Sequence, residues 1–195
     1  MTYGISSRDY LARAKDCLAR NEQQSLYYAA FEIRCGIEAR MQEYLEVQKH
    51  ISKKKRQGWQ VAKLARNIEE AFRLGEKDAV LKVRDRMTNE VLLEARYTPV
   101  KKSLRKKAET LGNFLHSAKK HHPPGSPYWN AFRGELEKAV SELEQANSGR
   151  LLGPLLLHPD RKHMDMKLEL PTPEEQEAAK RLVLGTETLM EVSYE

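Results

Sequence analysis

From Tyr10 onward, apolar residues recur at intervals of three and four. Tyr10, Leu11, Ala14, Cys17 and Leu18 fall on one face of a helix over residues 7–20, with Ser6 and Ser7 placed to cap it. Leu26, Ala30, Ile33, Ile37, Met41 and Tyr44/Leu45 keep the same spacing with only Gly36 interrupting, which predicts a long helix from Ser25 to His50. The lysine run and Gly58 end it. Val61, Leu64, Ala65, Ile68, Ala71 and Phe72 then predict a third helix that stops at Gly75. Leu104, Ala108, Leu111, Leu115 and Ala118 predict a fourth, broken by His121-His122-Pro123-Pro124-Gly125. Ser126 and Pro127 open a fifth, with Trp129, Phe132, Leu136, Val140 and Leu143 on its apolar face.

Other segments change period. Val91, Leu93, Ala95 and Tyr97 alternate with Leu92, Glu94, Arg96 and Thr98, and Met87-Thr88-Asn89 would turn this strand back onto Ala79–Arg84. Val80, Val83, Met87 and Val91 also fit a helix, but the β-branched and aromatic neighbours and Pro99 favour a hairpin over about residues 79–98. Residues 163–170 alternate throughout, and Met190, Val192 and Tyr194 alternate again, predicting strands at about 163–170 and 188–194. Between them Thr172 and Glu175 form a capping box opening a short helix to about Leu184. The two strands could pair in parallel across that helix, or use the hairpin as their partner. The expected fold is mainly α, an antiparallel helical bundle with a small attached β-sheet. Residues 1–150 would form the bundle with its inserted hairpin, and 151–195 a strand-helix-strand appendage packed on the same domain.

A chain of 195 residues with 40% apolar and 32% charged positions has enough apolar surface for one core and carries no disorder signature. No run approaches the roughly 20 apolar residues of a membrane helix, and residues 1–30 lack a signal-peptide core, so no membrane partner and a cytoplasmic location are expected. Cys17 and Cys35 lie on or beside apolar stripes and read as small hydrophobes. The net charge of +6 is bunched. Lys53, Lys54, Lys55 and Arg56 form one cluster, Lys101, Lys102, Arg105, Lys106 and Lys107 a second, and Lys119 and Lys120 a third beside His121 and His122. Such clusters either solvate helix ends or hold a polyanion, which makes RNA the candidate partner.

There is no glycine-rich phosphate loop, nucleophile elbow, HExxH or CxxC, so no cofactor and no metal are expected. His158, His163 and Asp165 read as a polar loop entering a strand. Arg34 and Glu38, four apart at the edge of the long helix's core stripe, form a candidate structural polar pair: either an ordinary intrahelical ion pair or a partly buried one holding neighbouring helices. His116 lies one position off the fourth stripe, with Asn113 one turn before it and the 101–107 cations upstream. An imidazole there could move a proton near neutral pH while cations held a phosphodiester, so His116, Asn113 and Arg105 are the candidate catalytic residues. Packing or hydrogen bonding is the alternative role for His116.

Tyr10-Leu-Ala-Arg-Ala-Lys-Asp-Cys-Leu18, Tyr28-Ala-Ala-Phe-Glu-Ile-Arg-Cys-Gly-Ile-Glu38 and Leu111-Gly-Asn-Phe-Leu-His116 together resemble the HEPN superfamily of helical-bundle proteins, over about residues 7–146. The resemblance implies an antiparallel four- or five-helix bundle, frequent homodimers, and roles in RNA cleavage, toxin–antitoxin pairs and phage defence. Its ribonuclease members carry an Arg, commonly followed by a polar residue, four to six residues before a His. Thr110 and Leu111 stand in that interval here, and the nearest upstream Arg is Arg105, some 16 Å of helix away. The resemblance therefore implies a non-catalytic RNA- or partner-binding protein of a bacterial stress or phage-defence system. The alternatives are a metal-independent endoribonuclease using His116 and a structural protein–protein interaction module. A homodimer through the bundle is also expected, because Tyr27, Phe31 and Cys35 form a second apolar line beside the core stripe of the long helix.

Overall fold

The computed structural model describes residues 3–20, 22–49, 51–56, 58, 60–116, 121–157, 164–170, 172–185 and 187–195. Helix α1 (Ser7–Ala19) begins at a capping box in which the Ser6 hydroxyl accepts the Asp9 N–H and the Asp9 carboxylate accepts the Ser6 N–H. The Ser6 hydroxyl and the Ser6 N–H, both donating to the Asp9 carboxylate, hold that carboxyl below its ordinary range. Buried Ser7 donates to the Gly36 carbonyl at 2.8 Å, binding α1 to α2 (Gln23–Val47). Gly36 is small for a reason: a Cβ there would meet Leu143 at 2.9 Å and Tyr10 at 3.2 Å, where three helices converge.

Helix α2 is the axis of the bundle and touches α1, α4 (Val61–Phe72), α5 (Lys102–Gly112) and α6 (Pro127–Ser148). Its stripe of Leu26, Ala30, Ile33, Ile37, Met41, Tyr44 and Leu45 is buried along its length. The lysine run is itself a helical turn, α3 (Lys53–Arg56). Helix α4 ends at Arg73 in the left-handed region, φ 54°, two residues before Gly75. The fourth predicted helix ends early. α5 stops at Gly112, a 3₁₀ turn covers Asn113–Leu115, and His116 is extended at φ −103°, ψ 165°. The turn is where Phe114 packs onto Phe132, centroids 4.3 Å apart, instead of continuing the helical stripe. Ser126 occupies the N-cap position of α6, but its hydroxyl caps no N–H; Pro127 opens the helix as expected.

Residues 79–98 form the hairpin rather than a helix: β1 (Ala79–Asp85) pairs antiparallel with β2 (Val91–Tyr97). Its turn is held by the Asp85 carboxylate, which accepts the N–H groups of Met87 and Thr88. Beyond α6, Leu151, Leu152 and Leu155 enter the main core. Two-residue strands β3 (Leu156–Leu157) and β4 (Met164–Asp165) pair antiparallel, and Leu151 bridges Leu168. The strand expected over 163–170 is thus reduced to short ladder fragments, and His163 lies outside the described residues. Helix α7 (Pro173–Gly185) starts at the expected Thr172–Glu175 capping box. Strand β5 (Thr188–Tyr194) joins β1 antiparallel, giving a sheet of order β2-β1-β5, so of the two pairings left open the hairpin is the partner. The molecule is mainly α with a small antiparallel sheet, and no described helix is long and apolar enough to cross a membrane.

Among the described residues, one charged side chain lies inside this core. Arg40 is completely buried; its Nε donates to Tyr44 Oη at 2.9 Å, Nη1 to Glu43 at 3.1 Å and Glu169 at 3.2 Å, and Nη2 to the Gly149 carbonyl at 2.5 Å. Tyr44 in turn donates to the Thr98 carbonyl at 2.6 Å. Burial opposes the guanidinium's charge, but Tyr44, Glu169 and Glu43 outweigh it and raise its pKa further. A Cβ on Gly149 would lie 2.8 Å from both the Arg96 oxygen and the Thr98 nitrogen, so only glycine lets this backbone approach.

Replacing Arg40 with Ala should cost about 3–5 kcal/mol in urea unfolding, because two carboxylates and a carbonyl lose a buried cation. Tyr44→Phe should cost about 1–3 kcal/mol by stranding the Thr98 carbonyl. The double variant should lose less than the sum, since both act on one network. Burial pushes Tyr44 up to about 12, with Arg40 opposing. The folded chain therefore holds this proton more tightly than the unfolded chain does, and the stability is full below about pH 10 and lost as pH rises towards the folded value. A Tyr44→Phe chain should show a flatter alkaline limb of stability against pH.

Candidate functional site

The second cation cluster begins at the N-cap of α5, where the helix dipole would disfavour positive charge. Glu76 compensates: its carboxylate accepts the Lys102 N–H and lies 3.9 Å from the Arg105 guanidinium. Lys107 pairs with Glu142 of α6 at 3.1 Å. The ammonium groups of Lys101, Lys102 and Lys106 enter no ion pair among the described residues. In the first cluster Lys55 pairs with Glu70 of α4 at 2.7 Å and holds that carboxyl below its usual range, while Lys53 and Lys54 are exposed. Helix α4 touches both α3 and α5, so the two clusters flank one helix. Lys119 and Lys120 of the third cluster lie outside the described residues, as does His158.

Between α5 and α6 runs a groove of about 350 Å³. Leu111, Phe114 and Phe132 form its apolar floor, and Lys106, Lys107, Thr110, Tyr128 and Glu135 stand around them. The floor belongs to a larger aromatic cluster. Tyr27 of α2 packs edge-on to Trp129 at 6.0 Å and tilted to Phe132 at 5.7 Å, and His122 stacks flat on Tyr128 at 3.6 Å. Burial, with Tyr27 beside it, raises the Tyr128 hydroxyl's pKa. Chemically the groove offers an apolar, aromatic lining beside the ammonium groups of Lys106 and Lys107, the latter paired with Glu142. The Tyr27–Phe31–Cys35 line is thereby divided: Tyr27 is used within the chain, while Phe31 remains exposed. Burial, followed by Glu38 and Glu32, pushes the Cys35 thiol up to about 11, and both cysteines are free.

The structure does not assemble the candidate catalytic group. Arg105 sits in the first turn of α5 and leans to Glu76, whereas His116 and Asn113 follow the opposite end of the helix and are exposed. Arg34 and Glu38 do form a half-buried pair, Nε to Oε1 at 2.9 Å. Its guanidinium lies against Gly112, where a Cβ would overlap Arg34 Nη1, so the pair sets a cation at the C-terminal end of α5, the favourable end of the dipole. Burial pushes the Glu38 carboxyl up, and Arg34 opposes that shift.

Two features escaped the sequence pattern. The groove needed the fourth and fifth stripes to be packed side by side; the short Pro-Pro-Gly break between them was the available sign of an αα-hairpin. Arg40 interrupts the α2 stripe between Ile37 and Tyr44, and a lone charge on an apolar face was the sign of a buried polar network. Comparison with protein-family models, with curated proteins and with solved structures finds no match to this chain.

Gly112→Ala should displace the Arg34 guanidinium, the flexible end of its side chain. With less opposing charge the Glu38 carboxyl should then titrate at higher pH than in the parent, read by carbon-detected NMR titration; an unchanged midpoint would show that Arg34 does not hold Glu38.

Proposed function

We propose that this chain is a HEPN-like, non-catalytic binding protein of a bacterial stress or phage-defence system, whose α5–α6 face takes single-stranded RNA. The observation that carries this is the aromatic-floored groove with Lys106 and Lys107 on its rim, continuous with Lys101 and Lys102 along the same helix. Single-strand binding needs these two parts together: ring faces on which bases stack, and cations that follow the phosphates. The separation of Arg105 from His116 supports binding rather than cleavage. The apolar floor also favours a second occupant, an aliphatic or aromatic anchor from a partner protein, and charge dependence separates the two.

RNA binding should fall with salt, with a slope of about 0.7 per phosphate contact in a log–log plot. Replacing Lys101, Lys102, Arg105, Lys106 and Lys107 with Ala should weaken it for all sequences and flatten that slope. Tyr128→Ala should cost about 1–3 kcal/mol through lost stacking while leaving the slope intact. His116→Ala should leave binding unchanged. Fluorescence anisotropy with labelled single-stranded RNA measures all four. Absence of salt-sensitive binding in the parent would sink the RNA proposal, and RNA cleavage lost in His116→Ala would restore the enzyme.

A further inference from the structure

Strand β5 is an edge strand that nothing described covers. In register with β1, Met190 lies opposite Val83, Val192 opposite Leu81 and Tyr194 opposite Ala79. The β1 residues are buried core, yet Met190, Val192 and Tyr194 on the same face are 51%, 37% and 47% exposed. The apolar face of the sheet therefore runs on past the core that it covers. The backbone follows the same division. Glu195 and Asp78 exchange both N–H···O bonds at 3.0 Å, and Arg86 donates to the Glu187 carbonyl at 2.9 Å. By antiparallel alternation the odd-numbered residues of β5 bond to β1, and Thr188, Met190, Val192 and Tyr194 direct N–H and C=O to the open edge.

Natural edges are usually guarded by proline, a bulge or charge. β5 has no proline, and its seven pairs with β1 run without a register shift. Its acidic side chains are engaged inside the chain: Glu191 with Arg84 at 3.0 Å, Glu187 with Arg86 at 3.2 Å and Glu195 with Arg96 at 3.2 Å. These exposed pairs offset part of the negative charge at the edge without removing it, so the carboxylates still weigh on the register of an incoming strand.

We propose that β5 pairs antiparallel with β5 of a second copy of this chain, across a two-fold axis at Val192, forming a continuous six-stranded sheet. The charges along the strand fit this register and oppose those displaced by one residue. Centred on Val192, Met190 meets Tyr194 of the partner subunit, Val192 meets its own copy and Glu191 meets Ser193 of the partner subunit, so no like charges stand directly opposite. Centred one residue earlier, Glu191 would face Glu191 of the partner subunit; one residue later, it would face Glu195 of the partner subunit. Both arrangements are repulsive. The dimer is formed by the sheet edge, not by the exposed line on α2.

Sedimentation equilibrium of the full chain at tens of micromolar should give twice the monomer mass. Val192→Pro should give a monomer with an unchanged circular dichroism spectrum, because the N–H that it removes points to the open edge and not to β1. Met190→Lys combined with Val192→Lys, both at exposed positions, should also give a monomer, and guards against a proline variant that fails to fold. Facing residues of a bonded pair lie about 5.5 Å apart at Cα, within disulfide reach. Val192→Cys should therefore crosslink to itself on oxidation while Met190→Cys does not, with the parent's half-buried Cys17 and Cys35 as control. A monomeric parent, a folded Val192→Pro chain that stays dimeric, or crosslinking through Met190→Cys alone would overturn the proposal. A monomeric parent that binds a β-strand peptide would assign the edge to another protein.

Discussion

A guanidinium without access to water needs each of its nitrogens hydrogen-bonded, and that requirement at Arg40 ties together four parts of the chain. It gathers Glu43 from its own helix, the Gly149 carbonyl just beyond α6, and Glu169 from the stretch beside β4. Through Tyr44 it also reaches the Thr98 carbonyl after the hairpin. An apolar contact at this point would hold the same elements together but tolerate sliding. Directed bonds specify one arrangement, and the cost of leaving a buried cation unpaired penalises the rest. Glycine at 149 is part of the same constraint, since a side chain there would push the backbone away from Arg96 and Thr98.

From that junction the rest follows in two directions. Towards α5 and α6, α2 supplies Tyr27 to the aromatic cluster and the Arg34–Glu38 pair against Gly112, at the point where α5 ends and Phe114 packs on Phe132. At that ending Phe114 closes the floor of the groove with Phe132. Towards the sheet, the core covers β1 and the C-terminal end of β2 but stops short of β5. A third strand is added by backbone pairing with little burial of its own, which leaves its apolar side chains available to a partner.

The cations divide by surroundings rather than by position in sequence. Lys55, Arg105 and Lys107 have carboxylates within reach, whereas Lys101, Lys102 and Lys106 lie along α5 without one among the described residues. Exposed pairs of this kind contribute little to stability. Lys101, Lys102 and Lys106 thus leave uncompensated charge along the helix that borders the groove, as Lys53 and Lys54 do on α3.

Local pattern was sufficient for the elements whose signal is their own periodicity: α1, α2, α4, α6, the hairpin and β5 follow from apolar spacing within a few residues, with a capping box added at α1. The Thr172 capping box and the Arg34–Glu38 pair were legible for the same reason, each being an interaction across one turn. Tertiary structure decided what depends on distant neighbours. Alternation over 163–170 could not reveal that Glu169 is held by Arg40 or that Leu168 bridges Leu151; these contacts accompany a strand broken into fragments. The apolar stripe through Leu115 predicts a longer fourth helix, yet α5 ends at Gly112, where Arg34 and Phe114 pack, and His116 lies outside any helix. Periodicity records which face a residue presents, but not what meets that face, and burial of Arg40, the groove and the open edge of β5 are all properties of the meeting.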